Sequence, residues 1–165
     1  MLLDLKPLFA GSRTFLSVDL SVDLSEFEFL GVKPLKTPVT INGKIVSRAG
    51  IVESQLNCRV EYTGLCDRCL KETAVSYTVP VVRTIVTNLE NEENDDIAVI
   101  PDMQLNPEEF CYPDIVMSLP TKLLCKDDCR GLCPDCGKNL NTGDCNCTKT
   151  EIDPRLAALA ELLKD

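Results

Sequence analysis

The sequence predicts an α+β fold: an antiparallel β-sheet or partly closed barrel, with short helices and a cysteine-rich C-terminal tail. Three observations predict it. Apolar and polar residues alternate with a period of two through much of the first 87 residues. Two later stretches open with helix-capping signals. Six of the ten cysteines crowd between Cys125 and Cys147.

The first strand is expected over 14–24, with Leu16, Val18, Leu20, Val22 and Leu24 on one face and Ser17, Asp19, Ser21 and Asp23 on the other. Pro34 and Pro38 then mark a loop. Over 39–47, Val39, Ile41 and Ile45 share a face opposite Asn42 and Lys44. The clearest strand is 51–63, where Val52, Leu56, Cys58, Val60 and Tyr62 alternate with Glu53, Gln55, Asn57, Arg59 and Glu61; Ser47 to Gly50 suits the hairpin before it. In 74–87, Val75, Tyr77, Val79, Val81 and Ile85 share a face, and Pro80 marks an edge strand or bulge. Strands so close in sequence form an antiparallel meander, packed on one face or partly closed.

A short helix is expected at about 106–118: Asn106 caps, Pro107 takes the first turn and Glu108 and Glu109 face the dipole, although Pro113 interrupts it. Asp153 and Pro154 open a last helix with a stripe of Leu156, Leu159 and Leu163, too short to stand without docking. The chain divides into a β-rich domain (1–120, with an acidic loop at 88–105), a metal-binding segment (121–150) and a C-terminal helix (151–165).

Composition excludes several chemistries. The chain lacks histidine, so no Ser-His or Cys-His nucleophile pair and no HExxH zinc site can exist. It lacks tryptophan and has only eight aromatic residues, thin material for base stacking. Between Arg83 and Lys122 there is no Lys or Arg but nine acids, which account for the whole net charge of -9. That segment reads as a solvated loop, or as a docking surface for a basic partner. Acids spread along a loop do not supply the geometry of a Mg²⁺-dependent hydrolase or nuclease. The run MLLDLKPLFAG carries Asp4 and Lys6, unlike an export signal, and no apolar stretch is long enough to span a membrane. A reducing, cytoplasmic setting follows, where cysteines point to metal or redox chemistry before disulfides.

The six tail thiols read C-KDD-C-RGL-C-PD-C-GKNLNTGD-C-N-C. Cys133-Pro-Asp-Cys136-Gly137 has the form of a zinc knuckle, two thiolates near enough for one tetrahedral ion, with a glycine that lets the chain turn away. One structural Zn²⁺ is expected in this segment. Its second pair is Cys145 with Cys147 or Cys125 with Cys129, and spacing leaves the choice open. Four thiolates leave no position for water, so the ion is structural and not catalytic. Cys66-Asp-Arg-Cys69 forms a second CxxC, open to packing, metal or partner binding, or redox chemistry. Cys58 and Cys111 read as small buried hydrophobes.

The strand-rich start, Leu65-Cys-Asp-Arg-Cys-Leu70, the run from Leu119 to Cys125, DCRGLCPDCGKNLN and the closing DPRLAALAELL together resemble the YceD family of large ribosomal RNA subunit accumulation proteins. The resemblance implies a cytoplasmic bacterial factor without enzymatic activity, needed for normal levels of large-subunit ribosomal RNA. It carries over Cys66, Cys69, Cys125, Cys129, Cys133 and Cys136, with no catalytic role for any. It implies a partner in the large-subunit precursor, either RNA or a basic ribosomal protein, with no membrane and no small-molecule substrate. A local basic patch of Lys122, Lys126, Arg130 and Lys138 lies around the tail thiols. The alternative is a thiol-redox or zinc-release sensor using the CxxC cysteines.

Overall fold

Alternation of small β-branched residues with polar ones gives four consecutive antiparallel strands, β2 (Phe15–Val22), β3 (Val39–Arg48), β4 (Ile51–Leu65) and β5 (Glu72–Val86). The computed structural model describes residues 2–29, 31–88 and 96–147, so the helix expected over 151–165 and four of the nine acids, Glu90, Glu92, Glu93 and Asp95, lie outside the described residues. Before the sheet come two elements that the sequence reading missed, β1 (Leu3–Asp4) and α1 (Lys6–Phe9). After β5 come β6 (Ile97–Val99), which joins the same sheet, β7 (Gln104–Leu105) and α2 (Pro107–Met117).

The main sheet runs β2-β3-β4-β5-β6, and β1 with β7 makes a separate two-stranded ribbon. β6 pairs parallel to β5 over three residues, which makes the sheet mixed. Closure into a barrel is not found: β2 and β6 stay at opposite edges. Pro80 lies where β5 has β4 on one side and no described strand on the other, the edge position that a residue without an N–H tolerates. Ala49 and Gly50, both at positive φ (51° and 83°), make the two-residue β3–β4 turn whose twist suits a hairpin.

One face of the sheet is buried. Val18, Ile41, Ile45, Leu56, Val60 and Ile85 project from it onto Leu5 and Leu8 near α1 and Phe110, Cys111 and Ile115 of α2. The N-terminal apolar run therefore belongs to the core. Asn106 Oδ1 accepts from Glu108 N at 3.2 Å, the expected cap, and Pro113 sits on the exposed side of α2 without ending it.

Arg83 fastens α2 to β5. Its guanidinium lies 2.9 Å from the Asp114 carboxylate, donates to the Phe110 carbonyl at 3.2 Å and stands 5.5 Å from the Phe110 ring centroid. Arg83→Met is expected to lower stability by about 1–3 kcal/mol in urea denaturation, because a half-buried carboxylate loses its partner. Phe110→Leu, which keeps the ion pair, should cost less than Arg83→Met if charge is what docks the helix.

β4 and β5 outrun β3: Thr63 N donates to Pro34 O at 2.9 Å, so the β2–β3 connection covers part of the overhang. The hairpin tip, residues 66–71, projects at the end far from the β3–β4 turn.

Candidate metal centres

That hairpin tip is where Cys66 and Cys69 sit, and the chain after α2 returns to meet them. Cys66, Cys69, Cys125 and Cys129 form one group, Cys133, Cys136, Cys145 and Cys147 a second, and within each group the sulfurs lie within 4.8 Å of one another. Cys66 and Cys129 Sγ are 3.8 Å apart, Cys69 and Cys125 3.6 Å, and Cys133 and Cys145 3.4 Å. Four sulfurs at the zinc–thiolate bond length around one tetrahedral ion would be spaced by about 3.8 Å. Both donor sets therefore fit a four-coordinate, thiolate-preferring ion.

The two CxxC segments fold alike. Cys66 N donates to Lys71 O at 2.9 Å and Leu70 N to Cys66 O at 2.8 Å; Cys133 N donates to Lys138 O at 2.8 Å and Gly137 N to Cys133 O at 2.9 Å. After each second cysteine the chain turns through the left-handed region, with φ 58° at Leu70 and 70° at Gly137. A glycine adopts this freely, whereas Leu70 does so at some cost and leaves its side chain 60% exposed. The knuckle signal is therefore present twice in the sequence, disguised the first time by a leucine.

The amides of these turns point at sulfur. Burial pushes the Cys66 thiol up, but the backbone amides of Cys125, Arg68 and Cys69 outweigh it and hold it at about 6. The amides of Cys136 and Asp135, with the Cys145 thiol, hold Cys133 at about 7. Cys129 is also lowered: burial opposes, but the Asn141 amide and the Gly131 backbone prevail. In each group a thiol next to these is driven up to about 12, Cys125 first by burial and Cys147 first by its contact with Cys136. A thiolate-rich cluster without a cation holds on to protons, and a dication would displace them.

The first group joins distant parts of the chain. Asp67 N donates to Leu123 O at 2.9 Å, Leu123 N to Asp67 Oδ2 at 2.6 Å, and Arg68 Nη1 to Cys129 O at 2.8 Å. Gly131, at φ 75°, passes so close to Arg68 that a Cβ would stand 3.0 Å from its carbonyl oxygen. Leu132 N donates to that same carbonyl at 3.0 Å. Asn141, on the loop between Cys136 and Cys145, donates to Cys129 Sγ at 3.3 Å and accepts from Arg130 N at 3.0 Å. The second group is thus braced against the first.

Placement differs from the expectation of one group. Cys125 with Cys129 lies in the first four-thiol group, which Cys66 and Cys69 complete, and Cys145 with Cys147 lies in the second beside Cys133 and Cys136. Spacing could not reveal this, because the meeting of residues 66 and 129 depends on how far β4 and β5 extend. The groups also differ in burial: Cys66, Cys69 and Cys129 are buried, whereas Cys136 and Cys147 are exposed. Cys58 and Cys111 are buried in the main core, as small hydrophobes. Lys122, Lys126, Arg130 and Lys138 are exposed, but Lys126 is paired with Asp128 and Arg130 with Asp144.

Comparison with known proteins converges on the same region. The family model described as Large ribosomal RNA subunit accumulation protein YceD matches residues 54–163, a span that includes all eight grouped thiols. An uncharacterized protein of Mycobacterium tuberculosis is 30% identical over 104 residues, 61% of this chain and 50% of its own length. The chain thus spans about half the length of the mycobacterial relatives it matches. The uncharacterized protein YlbN of Bacillus subtilis is 24% identical over 149 residues, 88% of this chain and 87% of its own. No solved structure matches.

Proposed function

This chain belongs to the YceD family, and from that premise we propose that it is a non-enzymatic cytoplasmic factor supporting accumulation of large-subunit ribosomal RNA. The observation that carries the reading is that the family match covers both four-thiol groups, so the region held in common is the one that metal ions would order. In this reading each group binds one structural Zn²⁺ through its four thiolates. The ions supply shape, since a filled tetrahedron leaves no position for a substrate or an activated water. Among the described residues no helix is long and apolar enough to cross a membrane, which agrees with action on a ribosomal particle.

Charge points the metal-bearing end toward a basic ribosomal protein. Residues 66–71 and 122–147 carry six cations against five carboxylates, and two dications each bound by four thiolates contribute -2 apiece, which leaves -3. Phosphate affinity rests on Lys and Arg, so this end is a poor seat for RNA.

Two measurements test the reading. Purified protein should carry two zinc ions per chain, and depletion of the protein in cells should lower large-subunit relative to small-subunit ribosomal RNA. Unchanged ribosomal RNA ratios would end the assembly reading. A second reading, a zinc-release sensor, is favoured by the exposure of Cys136 and Cys147. Mild peroxide should then release one ion well before the other, with Cys136 and Cys147 modified first; release of both together would refute it.

A further inference from the structure

We propose that the end of the sheet opposite the metal centres binds single-stranded RNA, with a base stacked on Phe15 and flanking phosphates held by Arg13, Lys44 and Arg48. On a chain of net charge -9, these three cations line two adjoining clefts, Lys44 and Arg48 the first and Arg13 the second, and none forms an ion pair with a described residue. The first cleft, of about 390 Å³, is lined by Thr14, Phe15, Lys44, Val46, Ser47 and Arg48. Arg13 lines an adjoining one that shares Thr14 and Phe15.

The register explains the grouping. Phe15 pairs with Val46 and Ser17 with Lys44, so on the solvent face Lys44 and Arg48 lie two residues to either side of the residue opposite Phe15. Their Cα atoms are separated by four residues of strand, about 13 Å, which is room for one stacked base between two phosphates. Ser47 N donates to Thr14 O at 2.8 Å and Arg13 N to Pro7 O at 3.0 Å, so the approach to β2 is held in place. Phe15 is 57% exposed although it opens a strand whose other apolar residues turn inward. An unburied aromatic ring among unpaired cations and the hydroxyls of Thr14 and Ser47 is what a stacking platform with backbone contacts needs. Duplex would not offer an unstacked base.

The inference deepens the large-subunit reading and rests on it for the source of the RNA. Its test uses the full chain loaded with zinc and a fluorescently labelled uridine oligonucleotide, followed by anisotropy. Three phosphate contacts predict a slope of log affinity against log salt of about -2. Phe15→Ala should weaken binding about tenfold or more, Phe15→Tyr should retain it, and Lys44→Glu with Arg48→Glu should abolish it. Lys33→Glu, remote from the cleft, should leave it unchanged, and melting temperatures identify any variant that is misfolded. Absence of binding, equal displacement by polyglutamate, tighter binding of duplex, or indifference to Phe15→Ala would each overturn the proposal. If Lys44→Glu/Arg48→Glu protein still sediments with large-subunit precursors, the cleft is refuted while the assembly role stands.

Discussion

Replacing Cys129 by Ser is expected to halve the zinc content and to lower the melting temperature by about 10 °C, whereas Cys147→Ser should halve the zinc content with little change in melting. Both variants remove one of four thiolates from a centre, so local chemistry alone predicts equal outcomes. The difference lies in what each centre closes. Cys66 and Cys129 are 63 residues apart in sequence, and the ion between them would fix the returning chain to the β4–β5 tip. A cross-link over such a loop constrains the unfolded chain by about 4 kcal/mol, the scale known from disulfides of that span. The second centre closes only the segment from Cys133 to Cys147, which has few apolar side chains of its own. Its loss should melt that segment and remove the Asn141 contact to Cys129, leaving the sheet intact. Metal analysis and thermal melting of the two variants decide the matter. Equal destabilisation would mean that the first centre does not tie the tail to the sheet.

The sheet was legible because its solvent and core faces obey a period of two. Val18 and Val22, Ile41 and Ile45, and Leu56, Cys58 and Val60 are buried where alternation places them. The Asn106 cap was equally plain, since an Asn-Pro-Glu-Glu start combines side-chain and dipole preferences in one place. Elements of two to four residues carry no period, so β1, β7 and α1 were invisible, and Leu5 and Leu8 passed for part of a terminal run. The grouping of the thiols stayed open for a different reason. Sequence showed which cysteines stood in pairs, but which pairs meet is decided by the overhang of two 15-residue strands. Leu70 hid the likeness of the two knuckles, because a left-handed turn is expected of glycine.

Gly43→Val is expected to destabilise the chain by about 3–5 kcal/mol, a large part of the stability of a domain this size. In the sequence Gly43 looks like a gap in the alternation between Ile41 and Ile45. In the structure the backbone of β4 lies where its side chain would stand. A Cβ there would overlap the carbonyl oxygen of Gln55 and stand 2.9 Å from the Leu56 Cα, and both neighbours are backbone atoms that cannot swing aside. Its φ of 144° adds a conformation that side-chain-bearing residues rarely adopt. Relief would require β3 and β4 to separate where Gly43 pairs with Leu56, which lies in the core between Val52 and Val60. Gly43→Ala adds only the Cβ and isolates that overlap; Val adds branched bulk. Chemical denaturation of both should therefore show most of the loss already in the alanine variant. An alanine variant within about 1 kcal/mol of wild type would mean that the strands part easily there.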